Sequence, residues 1–309
     1  MTPALQVALT AFEAEEPRFV SHSENEVHEV RHRGRRAALR LHRPGYQERD
    51  EIWSELWWMR ALAQAGLPVP EALPTPDGAL IVDLPGGQRA SMVGWVEGGP
   101  ITDAMADAAV FHRIGALLAR LHEATDALAL PARFRRHAWD AEGLIGAAPL
   151  WGRFWENPAL APDERRTILA ARARLRAALD AYRADGGDFG LIHADPIRGN
   201  VLVEGERVTL IDFDDAGFGF RAYDLAVLMT QNEHLPNADA LLRAAIAGYR
   251  SVRPFSRRSE ALLPGLILAR RLASAGWIVP RSQEGDPRRR YFAERALEAA
   301  ERYLAGLRR

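Results

Sequence analysis

The chain has 309 residues, 48% of them hydrophobic and 26% charged, and a formal charge of -1, so it offers no overall field to recruit nucleic acid and no apolar run of membrane-spanning length. Cysteine is absent and so is lysine: all 40 basic residues are arginine. These absences exclude disulfides, thiolate nucleophiles and Cys-ligated zinc, and equally a Walker A loop, which requires G-K-[ST], and Schiff-base chemistry. The length exceeds what a single core carries, so two domains are expected. Residues 1–10 lack the basic start and apolar core of a secretory signal, which makes the cytoplasm the default location.

In chain order, residues 17–42 read as paired strands around Phe19-Val20, Glu26 to Val30 and Ala37 to Leu41, with Arg33-Gly34 as a turn. A helix over 50–65 follows, carrying Ile52, Leu56, Met59, Leu62 and Ala63 at helical spacing and stopped by Gly66-Leu67-Pro68. Segments 79–83 and 90–96 read as further strands. Gly98-Gly99-Pro100 then breaks the pattern, and a domain boundary near Gly98 divides the chain into 1–98 and 99–309. Beyond it, Thr102 or Asp103 can cap a long helix through about Asp126, with Val110, Ile114, Leu117, Leu118 and Leu121 on one face. Residues 131–157, rich in Arg, Trp, Gly and Pro, read as a connecting excursion. Helices are expected over 163–184, 222–230, 238–250, 260–275 and 287–306. The last forty residues hold ten arginines against five acids, mostly on a solvated terminal helix.

The chemistry concentrates in Leu191-Ile192-His193-Ala194-Asp195-Pro196-Ile197-Arg198-Gly199-Asn200, an H-x-D-x-x-x-x-N pattern, with Asp212 twelve positions after Asn200 in Ile211-Asp212-Phe213-Asp214-Asp215. Asp and Asn are also ordinary turn residues. Here, however, apolar runs flank them, and Glu204-Gly205-Glu206 makes a turn between 201–203 and 207–211. A strand, a loop and a hairpin result, with Asp195 on the loop, Asn200 starting one hairpin strand and Asp212 ending the other, so that three polar tips can converge. That set supplies a phosphoryl-transfer site: Asp195 to take the proton of an attacking hydroxyl, Asn200 and Asp212 to hold Mg²⁺. Asp214 and Asp215 extend the cluster. An adjacent pair cannot point the same way from extended chain, and Asp214 is taken as the further metal candidate.

Together with Ser23 to Val30, Ala38 to Leu41, Ser54-Glu55-Leu56 and Tyr223-Asp224-Leu225, these motifs resemble the aminoglycoside phosphotransferase and choline kinase superfamily, most nearly its homoserine kinase type II and stress response kinase A branch. The resemblance implies an α+β, bilobal protein-kinase-like fold: a small N-terminal lobe of antiparallel sheet plus helix, and a larger, mainly helical C-terminal lobe. It implies ATP and Mg²⁺ as cofactors. Residues 21–25, with Ser23 and Asn25, would lie over the nucleotide phosphates, although the glycines of a kinase loop are missing. Arg40 falls where kinases keep the strand lysine that touches the phosphates, and Glu55 where its helix partner would be; arginine can grip phosphate bidentately. Residues 92–97, including Trp95, would form the hinge beside adenine. His193 would orient the loop. Asp224, an N-cap by its own chemistry, would also brace the catalytic loop.

Transfer of the ATP γ-phosphoryl group to a small-molecule hydroxyl is therefore expected, with no nucleic-acid or membrane partner. Tyr223 follows Asp212 by only eleven positions, too few for a long peptide-docking segment, and a hydroxylated amino acid such as homoserine is the leading acceptor. Arg198, Arg270 and Arg271 could pair an anionic group on it. A serine/threonine protein kinase of the stress-response type shares every motif. A non-catalytic nucleotide-binding module would be expected to have lost Asp195, Asn200 or Asp212.

Overall fold

Leu39 and Leu41 alternate with Ala38 and Arg40 along one strand, and that alternation organises the first of two units into which the chain divides. The computed structural model describes residues 1–22 and 25–307. The first unit comprises Met1–Pro100, Ala127–Arg136 and Asn200–Asp214; the second comprises Ile101–Asp126, His137–Gly199 and the chain from Asp215 onward.

The first unit opens with helix α1 (Pro3–Ala11), capped by Thr2, whose hydroxyl accepts from Leu5 N at 3.2 Å, with Pro3 at the first helical position. Strands β1 (Ala14–His22), β2 (Glu26–His32) and β3 (Arg35–His42) follow, then helix α2 (Arg49–Gln64), β4 (Ala72–Leu73), β5 (Val82–Asp83) and β6 (Arg89–Gly94). The sheet runs β1-β2-β3-β6-β4, with β5 also on β6, and every pairing is antiparallel. Leu5, Leu9 and Phe12 bury against Leu39, Leu41 and Met92. Period two sends Arg40 to the opposite face of β3. There α2 meets it, carrying Glu55 on the same buried stripe as Ile52, Leu56, Met59 and Leu62.

The hairpin of Val201–Glu204 and Arg207–Leu210, turned at Gly205 (φ 58°), belongs to this unit because its first strand pairs with β7 (Gly99–Pro100). Two strand expectations shrink here. Thr75 closes a loop onto Ala79, so pairing is confined to Val82–Asp83, and β6 ends at Gly94, leaving Trp95 outside it. Helix α1 was legible in Thr2-Pro3 and the spacing of its leucines, but the sequence reading passes over it.

The second unit is helical: α3 (Ala108–Asp126), α4 (Ala141–Ile145), α5 (Pro162–Ala184), α6 (Arg221–Thr230), α7 (Ala238–Arg250), α8 (Arg257–Trp277) and α9 (Pro287–Gly306). Every residue of α6 is buried. A three-stranded sheet is also present, in which Gly217–Phe220 runs parallel to Ala138–Trp139 and antiparallel to Phe189–Ile192. The segment read as an excursion thus contains a strand and α4. Neither Thr102 nor Asp103 caps α3; Asp107 does, its Oδ1 accepting from Val110 N at 2.8 Å, because Asp103 is taken up by Arg198. No helix among the described residues is long and apolar enough to cross a membrane.

Helices α3 and α7 cross with backbones in contact. A Cβ on Gly115 would meet Ala245 O at 1.9 Å, and one on Gly248 would meet His112 O at 1.9 Å. Gly248→Ala is expected to cost about 3 kcal/mol of unfolding free energy, since neither backbone can yield without separating the helices. Chemical denaturation measures it, and a loss near zero would show that the crossing accommodates a methyl group.

Candidate active site

In the first unit the hairpin register sets two of the expected metal ligands side by side. Val201 pairs with Leu210, and the next rung is a hydrogen bond from Ile211 N to Asn200 O at 2.9 Å. Asn200 therefore sits at the mouth of the hairpin, in a 3₁₀ turn just before the strand, and Asp212 one residue beyond the rung. Asp212 has φ 62°, a left-handed conformation that Asp tolerates better than most residues.

The next carboxylate is held by its backbone. Gln47 Nε2 donates to Asp214 O at 2.6 Å, and the Arg136 guanidinium donates to the same oxygen. Both side-chain oxygens of Asp214, only 6% exposed, have no hydrogen-bond partner. Burial, and then the neighbouring Glu55 and Asp212 carboxylates, push the Asp214 carboxyl up to about 7. Two guanidiniums, Arg40 and Arg136, act against them, and Arg40 Nη2 bonds Glu55 Oε1 at 2.7 Å with both side chains buried. Burial works against the Arg40 charge, but Glu55, Asp214 and Asp212 outweigh it and hold the guanidinium above its ordinary value. Arg40 Nε and Glu55 Oε2 remain unpartnered. Buried polar groups are ordinarily satisfied, so this cluster has unused donors for an anion and unused acceptors for a cation.

In the second unit the loop carrying Asp195 hangs from one buried carboxylate. Asp224 accepts from His193 N at 3.0 Å and from Ala194 N at 2.7 Å, and Ala194 is itself left-handed at φ 66°. His122 Nε2 lies 3.0 Å from Asp224, and its Nδ1 2.8 Å from the Tyr249 hydroxyl. Burial holds the His122 imidazole below its ordinary value, so it is neutral, donates to the carboxylate and accepts from Tyr249. Burial opposes the Asp224 charge, but His122 and the loop groups overcome it and hold the carboxyl below the usual range. His193 is fully buried, and its Nδ1 accepts from Asp195 N at 3.3 Å. Asp195 itself is paired: Arg270 Nη2 donates to its Oδ1 at 2.5 Å.

The brace expected of Asp224 is thus present, but the N-cap is not. Phe220 occupies the cap position of α6, because the strand Gly217–Phe220 runs directly into the helix. Of the expected phosphate-loop residues, Ser23 lies outside the described residues, and Asn25 is buried with its Oδ1 accepting from Arg43 N at 3.3 Å. Trp95 is half-buried, and the Arg36 guanidinium lies 4.4 Å from its ring centre. The arginines suggested for an acceptor anion are engaged internally. Arg198 bonds Asp103 and Asn232, Arg271 bonds Glu233 and Thr230 O, and Arg270 bonds Asp195. Sequence reasoning missed the grip of Gln47 and Arg136 on Asp214, and the His122–Tyr249 support. Among the described residues no three His, Cys, Asp or Glu side chains form a ready metal cage.

Sequence comparison matches residues 17–255 to the phosphotransferase enzyme family, APH. A homoserine kinase of Sinorhizobium fredii (strain NBRC 101917 / NGR234) is 31% identical over 226 residues, covering 72% of this chain and 65% of that protein, so the chain spans just under two thirds of this relative. The structure of a microcompartment-associated aminopropanol kinase superposes with a TM-score of 0.88 at 31% identity, covering 98% of this chain and 97% of that one. Amicoumacin kinase hAmiN, solved with AMP-PNP, Ca²⁺ and Ami, shares the fold, with a TM-score of 0.81 at 20% identity over 96% of this chain and 92% of that one.

The raised Asp214 carboxyl fixes the sign of a pH effect. A carboxyl that binds its proton more tightly when folded loses stability as pH rises from about 4, its unfolded value, to about 7. In metal-free protein the stability difference between Asp214→Asn and wild type should therefore grow in favour of the variant across that window. Added Mg²⁺ should stabilise wild type more at pH 8 than at pH 5. Thermal unfolding with chelator and with Mg²⁺ measures both, and a flat difference would remove Asp214 from the cation site.

Proposed function

The chain belongs to the phosphotransferase enzyme family, and on that premise we propose that it transfers the γ-phosphoryl group of ATP, with Mg²⁺, to the hydroxyl of a small aliphatic alcohol that bears an amino group. The observation that carries this reading is the buried Asp214 carboxylate without a partner, beside Asp212, Glu55 and Arg40. A cluster with both charges unspent fits a nucleotide polyphosphate and its cation together. Amicoumacin kinase, solved with a nucleotide analogue and Ca²⁺, supports the same pairing.

Each residue then has a task. Asn200 and Asp212 would hold Mg²⁺, with Asp214 as a further ligand, and Arg40, oriented by Glu55, would meet phosphate oxygens. Bound there, Mg²⁺ supplies neutralisation of the charge that builds on the phosphates. The acceptor oxygen forms its bond to the γ-phosphorus as the bond to the ADP oxygen breaks, and the hydroxyl proton passes to Asp195. Asp224 and His193 keep that carboxylate on a rigid loop, so the contribution of the protein is mainly positioning.

The acceptor class rests on two supports. Homoserine and aminopropanol, named for the relatives, are both aliphatic alcohols carrying an amine. Arg270 and Arg271, engaged by Asp195 and by Glu233 with Thr230 O, are also poorly placed to serve an acceptor as its main anchor.

ADP release across homoserine, 1-amino-2-propanol, other amino alcohols, the same skeletons without the amine, and a protein acceptor tests the proposal. Amine-bearing alcohols are expected to turn over, and deaminated analogues to show kcat/KM lower by about 10- to 100-fold. Asp195→Asn should lose about 10²- to 10⁴-fold in turnover while keeping nucleotide affinity. Preference for the protein or for deaminated alcohols would overturn the acceptor class; undiminished turnover by Asp195→Asn would overturn the base.

A further inference from the structure

Arg270 is the one charged side chain on the buried face of α8, and it is 8% exposed. Burying a guanidinium is costly unless its charge is met. The planar group lies 4.4 Å from the ring centre of Trp151, Nη2 donates to Asp195 Oδ1 at 2.5 Å, and Tyr223 and Asp215 also favour its charge. Trp151 is in turn fixed edge-on to Trp139, with ring centres 5.3 Å apart, and Trp139 Nε1 donates to Asp215 O at 2.6 Å. The chain of contacts thus runs from the backbone of Asp215 through two tryptophans and one arginine to the carboxylate of Asp195. None of these groups belongs to the motifs that mark the family resemblance, except Asp195 and Asp215.

We propose that Arg270 is a positioning residue for the transfer base: stacked on Trp151 and bonded to Asp195 Oδ1, it fixes the direction in which that carboxylate meets the acceptor hydroxyl. The proposal rests on the reading of Asp195 as the base. Arginine suits the task because its fork is planar, always charged, and able to stack and donate at once. Asp224 fixes the loop backbone through His193 N and Ala194 N, and Arg270 holds the Asp195 carboxylate itself. Tyr223 from α6, Asp215 from the turn before Gly217–Phe220, and His193 on the loop itself also lie beside the pair. A guanidinium this buried and already paired is poorly placed to serve the acceptor as an anion site.

Arg270→Met and Arg270→Lys in the full chain test it. Titration of the ¹³C-labelled Asp195 carboxyl, identified as the resonance missing from Asp195→Asn, needs neither acceptor nor turnover. Arg270→Met should raise that titration by about one pH unit, because an opposite charge has been removed, and the acid limb of the pH profile of kcat/KM should rise with it. Its kcat should fall about 100-fold, as expected for a misplaced reacting group, with both KM values little changed. Arg270→Lys, which keeps the charge without the fork or the stack, should titrate near wild type yet remain impaired in kcat, and it carries the test should Arg270→Met fail to fold. Wild-type kcat in Arg270→Lys, or an increase confined to the acceptor KM, would overturn the proposal, as would an unmoved titration in folded Arg270→Met. A failure of the base reading shows separately, as undiminished turnover by Asp195→Asn.

Discussion

In the first unit two buried carboxylates, Glu55 and Asp214, gather with the exposed Asp212 around the buried Arg40 guanidinium, and their charges do not cancel. Glu55, Asp212 and Asp214 act on Arg40, which donates to Glu55 alone among them in a bond of 2.7 Å. A buried ion pair barely recovers the cost of desolvating its own charges, and here a second buried carboxylate is added with both oxygens unsatisfied. Such an arrangement is poor for stability and well suited to receive a cation with its phosphates. Much else in the unit holds it in place. The hairpin register fixes Asn200 against Ile211, Gln47 and Arg136 fix the backbone of Asp214, and strand alternation together with the apolar stripe of α2 brings Arg40 to Glu55.

The second unit solves a different problem, the placement of a single base. Its loop takes a left-handed residue at Ala194, a strained conformation that persists only where surroundings over-determine it. Asp224 provides that determination with two backbone hydrogen bonds, and it is itself held by His122 from α3 and sits in a helix buried along its whole length. Glycines at the α3–α7 crossing let Tyr249 reach His122. Helix packing far along the chain therefore sets the position of the loop by direct hydrogen bonds.

Groups governed by local pattern were legible in the sequence. Asn200 with Asp212 follows from a short hairpin around a glycine turn, whereas Arg40 and Glu55 were singled out only by the family resemblance, and strand alternation with the apolar stripe of α2 explains how they meet. What escaped depends on partners distant in the chain. Arg136 lies in a stretch without periodicity, and its bond to Asp214 O spans 78 positions, for which no local signal exists. Arg270 and Arg271 are neighbours with the same side chain, yet one faces Asp195 and the other Glu233; only tertiary packing distinguishes them. Asp224 reads as a helix cap because Asp commonly is one, and the direct run from strand into α6 gave it another task.

A lysine-free chain has to meet phosphate with arginine, and Arg40 is the arginine that the fold buries beside the acidic cluster. The central claim is that this cluster is a cation and phosphate site. Anomalous diffraction from crystals grown with Mn²⁺ and a non-hydrolysable ATP analogue tests it most directly. The account predicts a manganese peak about 2.1 Å from oxygens of Asn200 and Asp212, with Arg40 against the phosphates. A nucleotide bound without a cation at these two residues, or a cation held elsewhere, would contradict it.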